Sequence, residues 1–391
     1  MVYYGLEVFI KEELFKKYLG KRIALLCNQA SVDAHFKPSF IWFKEIFGSH
    51  LKLLFSPQHG LFAEKQANMI GSEDEIEPFT HTPVVSLYGP RLSPEKKHLD
   101  EVEIIFVDLQ EVGCRVYTYI WTLYLMMESC ERWGKKVVIL DRPNPIGRII
   151  EGPLLESKYF SLIGMEELPL RYGLTIGELS LLFKKRKFPN LELEVIKMIG
   201  YRGRMFFKDT ERSWVFSSPN IPFWEVALVY PGQVLLEGTN LSEGRGTTLP
   251  FLIFGAPFLQ IKETFKVLQS LFPPEKTGCL LRPVVFEPTF SKWKNQRCYG
   301  FQIHLINPAQ FQPVKFSLIL IKFLKETYPE FRFLEPPYEF EKNLKPIEIL
   351  IGNSAVLNWI EGKEEIDLDF YLYYNLKKYK EEIKEFYLYD N

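Results

Sequence analysis

The sequence predicts an α/β protein, with a Rossmann-like parallel sheet domain over residues 1–155 and a second, α+β domain over 156–391. Two features carry that prediction. Short, nearly continuous apolar runs recur at 23–26, 51–55, 84–87, 104–107 and 137–140, and helical patterns at 39–47 and 121–133 separate several of them. Strands that are apolar on both sides belong in a parallel sheet covered by helices on both faces. The pattern then changes after Gly152-Pro153, which sets the boundary.

The elements follow in order. Residues 7–19 place Phe9, Ile10, Leu14, Phe15 and Leu19 at helical spacing, and Gly20 stops the helix. Each apolar run ends in polar or turn residues: Asn28-Gln29, then Ser56 to Gly60, Tyr88-Gly89, Asp108 to Gln110, and Asp141 to Asn144. Ligands of open α/β sheets bind beyond the carboxyl ends of the strands, so five polar clusters are expected around one crevice. No GxGxxG follows the first strand and no GxxxxGK[ST] occurs, so the frame lacks a nucleotide fingerprint. In the second half, 171–183 reads as a turn entering a helix, with Thr175 as N-cap and Glu178 completing a capping box. Strands are expected at 191–198, 283–286 and 301–305, and helices at 316–327, 345–350 and 376–387. The stretch 236–250, LEGTNLSEGRGTTLP, has almost nothing apolar to bury. It is expected to be a polar loop carried on a scaffold built elsewhere, where binding and catalysis concentrate.

Bulk properties narrow the function. The 48 lysines and arginines nearly cancel the 49 aspartates and glutamates, which argues against nucleic acid or an anionic membrane as partner. Five scattered cysteines form no CxxC pair, so neither a zinc site nor a disulfide framework is expected, and a reducing compartment fits. The N-terminus lacks a signal-peptide pattern, and no run approaches the roughly 18 apolar residues of a membrane span. A cytoplasmic protein is expected. Six histidines without paired spacing and no HExxH predict no metal, and no cofactor is expected; GxSxG is also absent, which counts against an esterase or amidase.

The polar clusters supply the candidates. Gln58 and His59 stand at a strand end with Glu64 beyond them, and Asp108 is followed by Arg115, Tyr117 and Tyr119, which alternate as on an extended segment facing one side. Asp141, Arg142 and Asn144 lie in a loop stiffened by two prolines, where the Asp–Arg pair either orders the turn or serves a ligand. Glu151, Arg171, Asn220, Glu237, Asn240, Glu243 and Arg245 complete the set. Carboxylates, amides and tyrosines around a crevice suit a polyhydroxylated ligand. Glycoside hydrolysis needs two acids, and Glu64, Glu237, Glu243, Asp108 and Asp141 are available. Several arginines imply that the ligand also carries an acid.

The ordered motifs SPQHG (56–60), DLQEVGCRVYTYIWTL (108–123), DRPNPIG (141–147), EGP (151–153), RYGLTIGEL (171–179), SPNIP (218–222), YPG (230–232), EGTNLSEGRGTTLPF (237–251) and GAPF (255–258) resemble the exo-β-N-acetylmuramidases of the NamZ type. The resemblance runs from about Gly5 into the C-terminal region. It implies release of N-acetylmuramic acid from the non-reducing ends of peptidoglycan fragments, by an active site in a cleft between a Rossmann-like domain and a second domain. The lactyl carboxylate of that sugar would account for the arginines, with Arg142, Arg171 and Arg245 as candidates. Glu243 and Glu64 are the expected catalytic acids, assisted by His59 and Tyr119. The partners expected are peptidoglycan-derived amino sugars. The chain departs from the family's pattern at Gln58, where the motif has glutamate, at Glu111, where it has aspartate, and at Tyr172, where it has histidine. Gln58 keeps a second expectation open, a non-catalytic binder of muropeptides.

Overall fold

The computed structural model describes residues 1–67 and 69–390. Its first sheet contains β1 (Ile23–Cys27), β2 (Leu51–Ser56), β3 (Glu75–Ile76), β4 (Pro83–Ser86), β5 (Ile104–Asp108) and β6 (Lys136–Leu140). A two-stranded ribbon of β7 (Glu151–Leu154) and β8 (Pro169–Arg171) follows, and β9 (Leu193–Ile196) then returns to the first sheet. The order is β3-β4-β2-β1-β5-β6-β9, parallel except at the short edge strand β3. The chain begins in the middle at β1, winds outward through β2 and β4, then reverses through β5, β6 and β9. The switch point therefore lies between β1 and β5, where the carboxyl ends of neighbouring strands part and leave room for loops.

Alternation along the strands explains the two covered faces. Ile23, Leu25 and Cys27 join a cluster with Phe9, Phe43 and Phe106, whereas Ala24 and Leu26 join Val107, Ile139 and Trp121 on the other side. Because β9 belongs to this sheet, the sheet extends past the expected boundary at residue 155. The N-terminal helix also differs from expectation. It ends at Lys11, Glu13 turns left-handed (φ 53°), and a 3-10 turn covers Leu14–Tyr18. Residues 11–13 are exposed, so no apolar contact holds a continuous helix there.

The second half builds an antiparallel sheet of β10 (Ile253–Ala256), β11 (Cys279–Phe286) and β12 (Cys298–Leu305) in the order β10-β12-β11. Helices Trp224–Gln233 and Pro313–Thr327 pack closely against each other. Their approach needs glycine, since a Cβ on Gly232 would lie 1.8 Å from the carbonyl oxygen of Pro313. Helix Ile176–Lys187 starts as expected, with Thr175 accepting from the Glu178 amide while Glu178 accepts from the Thr175 amide.

The segment 236–250 is held by groups from elsewhere in the chain. Residues 236–246 are buried throughout. Polar bonds do the work that apolar contacts do elsewhere: Glu237 pairs with Arg245, Glu243 with Lys292, and the Asn240 amide bridges the Glu330 carbonyl and the Arg332 amide. Buried polar groups persist only when satisfied in this way.

Candidate active site

Loops at the carboxyl ends of the first sheet meet the second half around a narrow cleft. Gln58 and His59 enter from the end of β2, and Tyr117 and Thr118 from beyond β5. The loop at 217–222 closes one side, since the Asn28 amide and the Tyr119 hydroxyl both donate to the Ser217 carbonyl (3.0 and 2.6 Å). Asn220 borders the cleft and donates to the Gln66 carbonyl at 3.0 Å. Glu237, Arg245, Tyr338 and Glu339 face these groups from the second half.

Local backbone sets the aim of several side chains. His59 (φ 76°), Phe251 (φ 60°) and Glu339 (φ 46°) all border the cleft and all adopt the left-handed region. For residues bearing a Cβ that conformation costs on the order of 1–3 kcal/mol and persists where the surroundings over-determine it. Burial holds the His59 imidazole down at about 4, so the ring is neutral at pH 7. Its Nδ1–H donates to the Lys65 carbonyl (2.7 Å), which leaves Nε2 as an acceptor.

The two carboxyl groups that line the cleft have unlike surroundings. Glu237 is clamped by the Arg245 guanidinium at 2.6 Å and by the Tyr338 hydroxyl at 2.6 Å. Glu339 accepts from the Tyr88 hydroxyl at 2.6 Å and from the Gln58 amide at 3.4 Å. Burial, reinforced by the charge of Glu237, pushes the Glu339 carboxyl up to about 7. Carboxyl pairs whose environments separate their affinities for a proton are the usual source of an acid and a base.

The expected residues divide between the cleft and the framework. Gln58, His59, Tyr117, Asn220, Glu237 and Arg245 come together at the cleft. Glu64, expected as an acid, instead has a side chain 47% exposed, with Lys65 at 3.9 Å, outside the cleft lining. Glu243 is not among the lining residues of the cleft, and Lys292 (2.7 Å) and Arg245 (3.6 Å) outweigh its burial and hold its carboxyl below the usual range. A carboxylate so held is poorly suited to give up a proton. Tyr119 is buried, its hydroxyl spent on the Ser217 and Gln58 carbonyls.

The alternation read for Arg115, Tyr117 and Tyr119 does not hold, because 115–116 form a turn and Tyr119 begins helix Tyr119–Arg132. Arg115 points away and bonds the carbonyls of Leu168 and Leu350 (3.3 and 2.5 Å). Asp108 and Arg142 form a buried two-pronged ion pair at 2.6 and 3.0 Å. Asp141 accepts from Thr175, Gly177 and Tyr389, securing the start of helix Ile176–Lys187. Asn144 bonds the Leu174 carbonyl and the Ile146 amide. Glu151 pairs with Arg171 at 3.5 Å and takes the Lys315 amide at 2.9 Å, while Asn240 has the framework role described above. Among the described residues no group of three His, Cys, Asp or Glu side chains is placed to hold a metal ion.

Sequence reasoning missed Glu339, Tyr338 and Thr118. The available signal for the first two was the double proline at 336–337, which marks a rigid loop directly before a tyrosine and a glutamate.

Sequence models described as "Exo-beta-N-acetylmuramidase NamZ", N-terminal and C-terminal, match residues 23–225 and 228–389. The chain belongs to the NamZ exo-β-N-acetylmuramidase family. The peptidoglycan beta-N-acetylmuramidase NamZ of Bacillus subtilis (strain 168) is 41% identical over 357 residues, which are 90% of this chain and 83% of that one. Two crystal structures of proteins described as DUF1343 family members from Bacteroides fragilis NCTC 9343 share the fold. The first has 29% identity and a TM-score of 0.86, the second 26% and 0.74, and each alignment covers 100% of this chain and 99% of the other.

Glu111 and Tyr172, two of the three positions singled out by the resemblance, meet in space. The Tyr172 hydroxyl donates to Glu111, and both side chains are buried. Burial pushes the Glu111 carboxyl up to about 8, against the bonds from Tyr172 and the Gly113 amide. The sign follows directly. The folded chain holds a proton that the unfolded chain releases near 4.5, so stability falls as pH rises from about 4.5 to about 8, by up to ~1.4 kcal/mol per unit. Glu111→Gln is expected to remove that contribution. Urea unfolding at pH 5, 6, 7 and 8 measures it; an unchanged slope in the variant would place the proton elsewhere.

Proposed function

We propose that this protein is a glycoside hydrolase that releases N-acetylmuramic acid from the non-reducing ends of peptidoglycan fragments. Family membership and the 41% identity to a peptidoglycan muramidase support the activity. The single observation that carries it is the cleft, where two carboxyl groups in unlike electrostatic surroundings face a neutral imidazole and several hydroxyl and amide groups. Glycoside hydrolysis uses such a carboxyl pair, one protonating the leaving oxygen and one acting at the sugar carbon.

The sugar's lactyl carboxylate calls for a cation. Arg142 and Arg171 are committed to Asp108 and Glu151, so Arg245 is the one of the three expected arginines that borders the cleft. His59 Nε2, Tyr117 and Asn220 are the proposed hydroxyl and amide contacts. Five free, buried cysteines support a cytoplasmic, reducing setting for the reaction. Among the described residues no helix is long and apolar enough to cross a membrane.

The test compares a chromogenic β-N-acetylmuraminide with the corresponding β-N-acetylglucosaminide. Release from the muraminide alone is expected. Equal release from both would refute the muramic specificity. Silence on both, with calorimetric binding of N-acetylmuramic acid, would identify a muropeptide-binding protein instead.

A further inference from the structure

We propose that Glu339 is the general acid of this enzyme and that Gln58 positions it. The inference rests on the muramidase reading. At position 58 the amide can orient a sugar but has no proton to give at neutral pH. Its own orientation is fixed: the Thr118 hydroxyl donates to Gln58 Oε1 at 2.6 Å, which turns Nε2 toward Glu339 Oε1 at 3.4 Å. The second oxygen of Glu339 takes the Tyr88 hydroxyl, and the backbone N–H of Glu339 donates to Met69 Sδ at 3.2 Å. A carboxyl group thus stands within one hydrogen bond of the place where the family's motif puts its glutamate. Glu339 and Phe340 (φ 67°) are both left-handed, and Phe340 packs edge-on against Tyr88, so the loop presents the carboxyl in a single constrained pose.

The charged and titratable groups facing Glu339 are Glu237 and Arg245 from segment 236–250, Tyr88 from the end of β4, and the neutral His59 that borders the same cleft. Burial keeps a proton on Glu339 up to about pH 7, while Glu237 stays in its ion pair. In the reaction Glu339 gives that proton to the glycosidic oxygen as the bond to C1 breaks, and the bonding pair leaves with the oxygen. The oxygen of water bonds to C1, and a proton of that water restores the charge of the carboxyl pair, so the sum is hydrolysis.

The experiment measures Glu339→Gln on two muraminides, one with a sugar as leaving group and one with nitrophenolate, which departs without a proton. Turnover of the sugar substrate is expected to fall about a hundredfold or more, the usual size of a general-acid contribution. Turnover of the nitrophenyl substrate should fall far less, and the loss of activity above about pH 7 should disappear. Installing Gln58→Glu in the Glu339→Gln chain is expected to restore at least tenfold on the sugar substrate, with an unchanged thermal midpoint in each variant. If Glu339→Gln does not fold, Glu339→Asp should keep measurable turnover with a shifted alkaline limb. Near-normal turnover of the sugar substrate, or equal losses on both leaving groups with the pH limb intact, would overturn the assignment. An inactive natural chain would overturn the muramidase reading itself, and this inference with it.

Discussion

Arg245→Ala should weaken both the fold and the chemistry. Its guanidinium lies between Glu237 at 2.6 Å and Glu243 at 3.6 Å, and all three are buried. Removing one member of a buried ion pair leaves the other charge desolvated and unpaired, at about 3–5 kcal/mol. Lys292 still compensates Glu243, and the Tyr338 hydroxyl still reaches Glu237, so the lower part of that range is expected. The kinetic effect follows from geometry. Glu237 loses the contact that fixes its carboxylate, and a displacement near 1 Å at a reacting group costs on the order of a hundredfold in kcat/KM. Arg245→Lys keeps the charge but loses the planar fork and should fall between the two. Guanidinium unfolding and steady-state kinetics on the muraminide check both effects. An alanine variant with unchanged stability and turnover would remove Arg245 from the site. Weaker binding of N-acetylmuramic acid, by about tenfold or more relative to N-acetylglucosamine, is the added sign of contact with the lactyl carboxylate.

The second large effect belongs to Asp108→Ala, and it is one of stability alone. Asp108 ends β5 beside the switch point, and its two oxygens take Nε and one terminal nitrogen of Arg142, both residues being almost wholly buried. Losing the aspartate leaves the buried Arg142 guanidinium without its counter-charge, held by the Val32 carbonyl and the Tyr4 ring, at about 3–5 kcal/mol. Asp108→Asn keeps one acceptor and should lose less. At a temperature where the alanine variant stays folded, kcat should remain within a few-fold of the natural chain, because the pair lies outside the cleft. Full stability with lost turnover would reverse that placement and put Asp108 in the reaction.

These contrasts also show where the sequence was legible. The parallel sheet could be read because β1, β2, β4, β5 and β6 are short, nearly continuous apolar runs, and each lies within a residue of its expected position. β9 was readable as a strand within 191–198 but not as a member of the first sheet, since pairing over that separation leaves no local mark. At the site, sequence named polar residues by type and could not tell those that satisfy one another from those that face a cavity. Asp108 with Arg142, and Glu151 with Arg171, carry the same chemistry as Glu237 with Arg245, and only the fold separates them. Glu64 looked favourable from its nearness to His59 in the chain, yet the turn at 61–62 sends it to solvent. Glu339 was hidden for the opposite reason, lying 281 residues from the amide it contacts.

That separation has a consequence for the order of synthesis. A ribosome adding roughly 5–20 residues per second delivers Glu339 on the order of 15–55 s after Gln58, and domains generally fold from the N-terminus as they emerge. The first sheet can therefore form with its strand-end loops bare, before either cleft glutamate has been translated. The emerging chain would be catalytically silent until its last fifth arrives, so a truncated product would carry the sugar-facing loops without the power to cut.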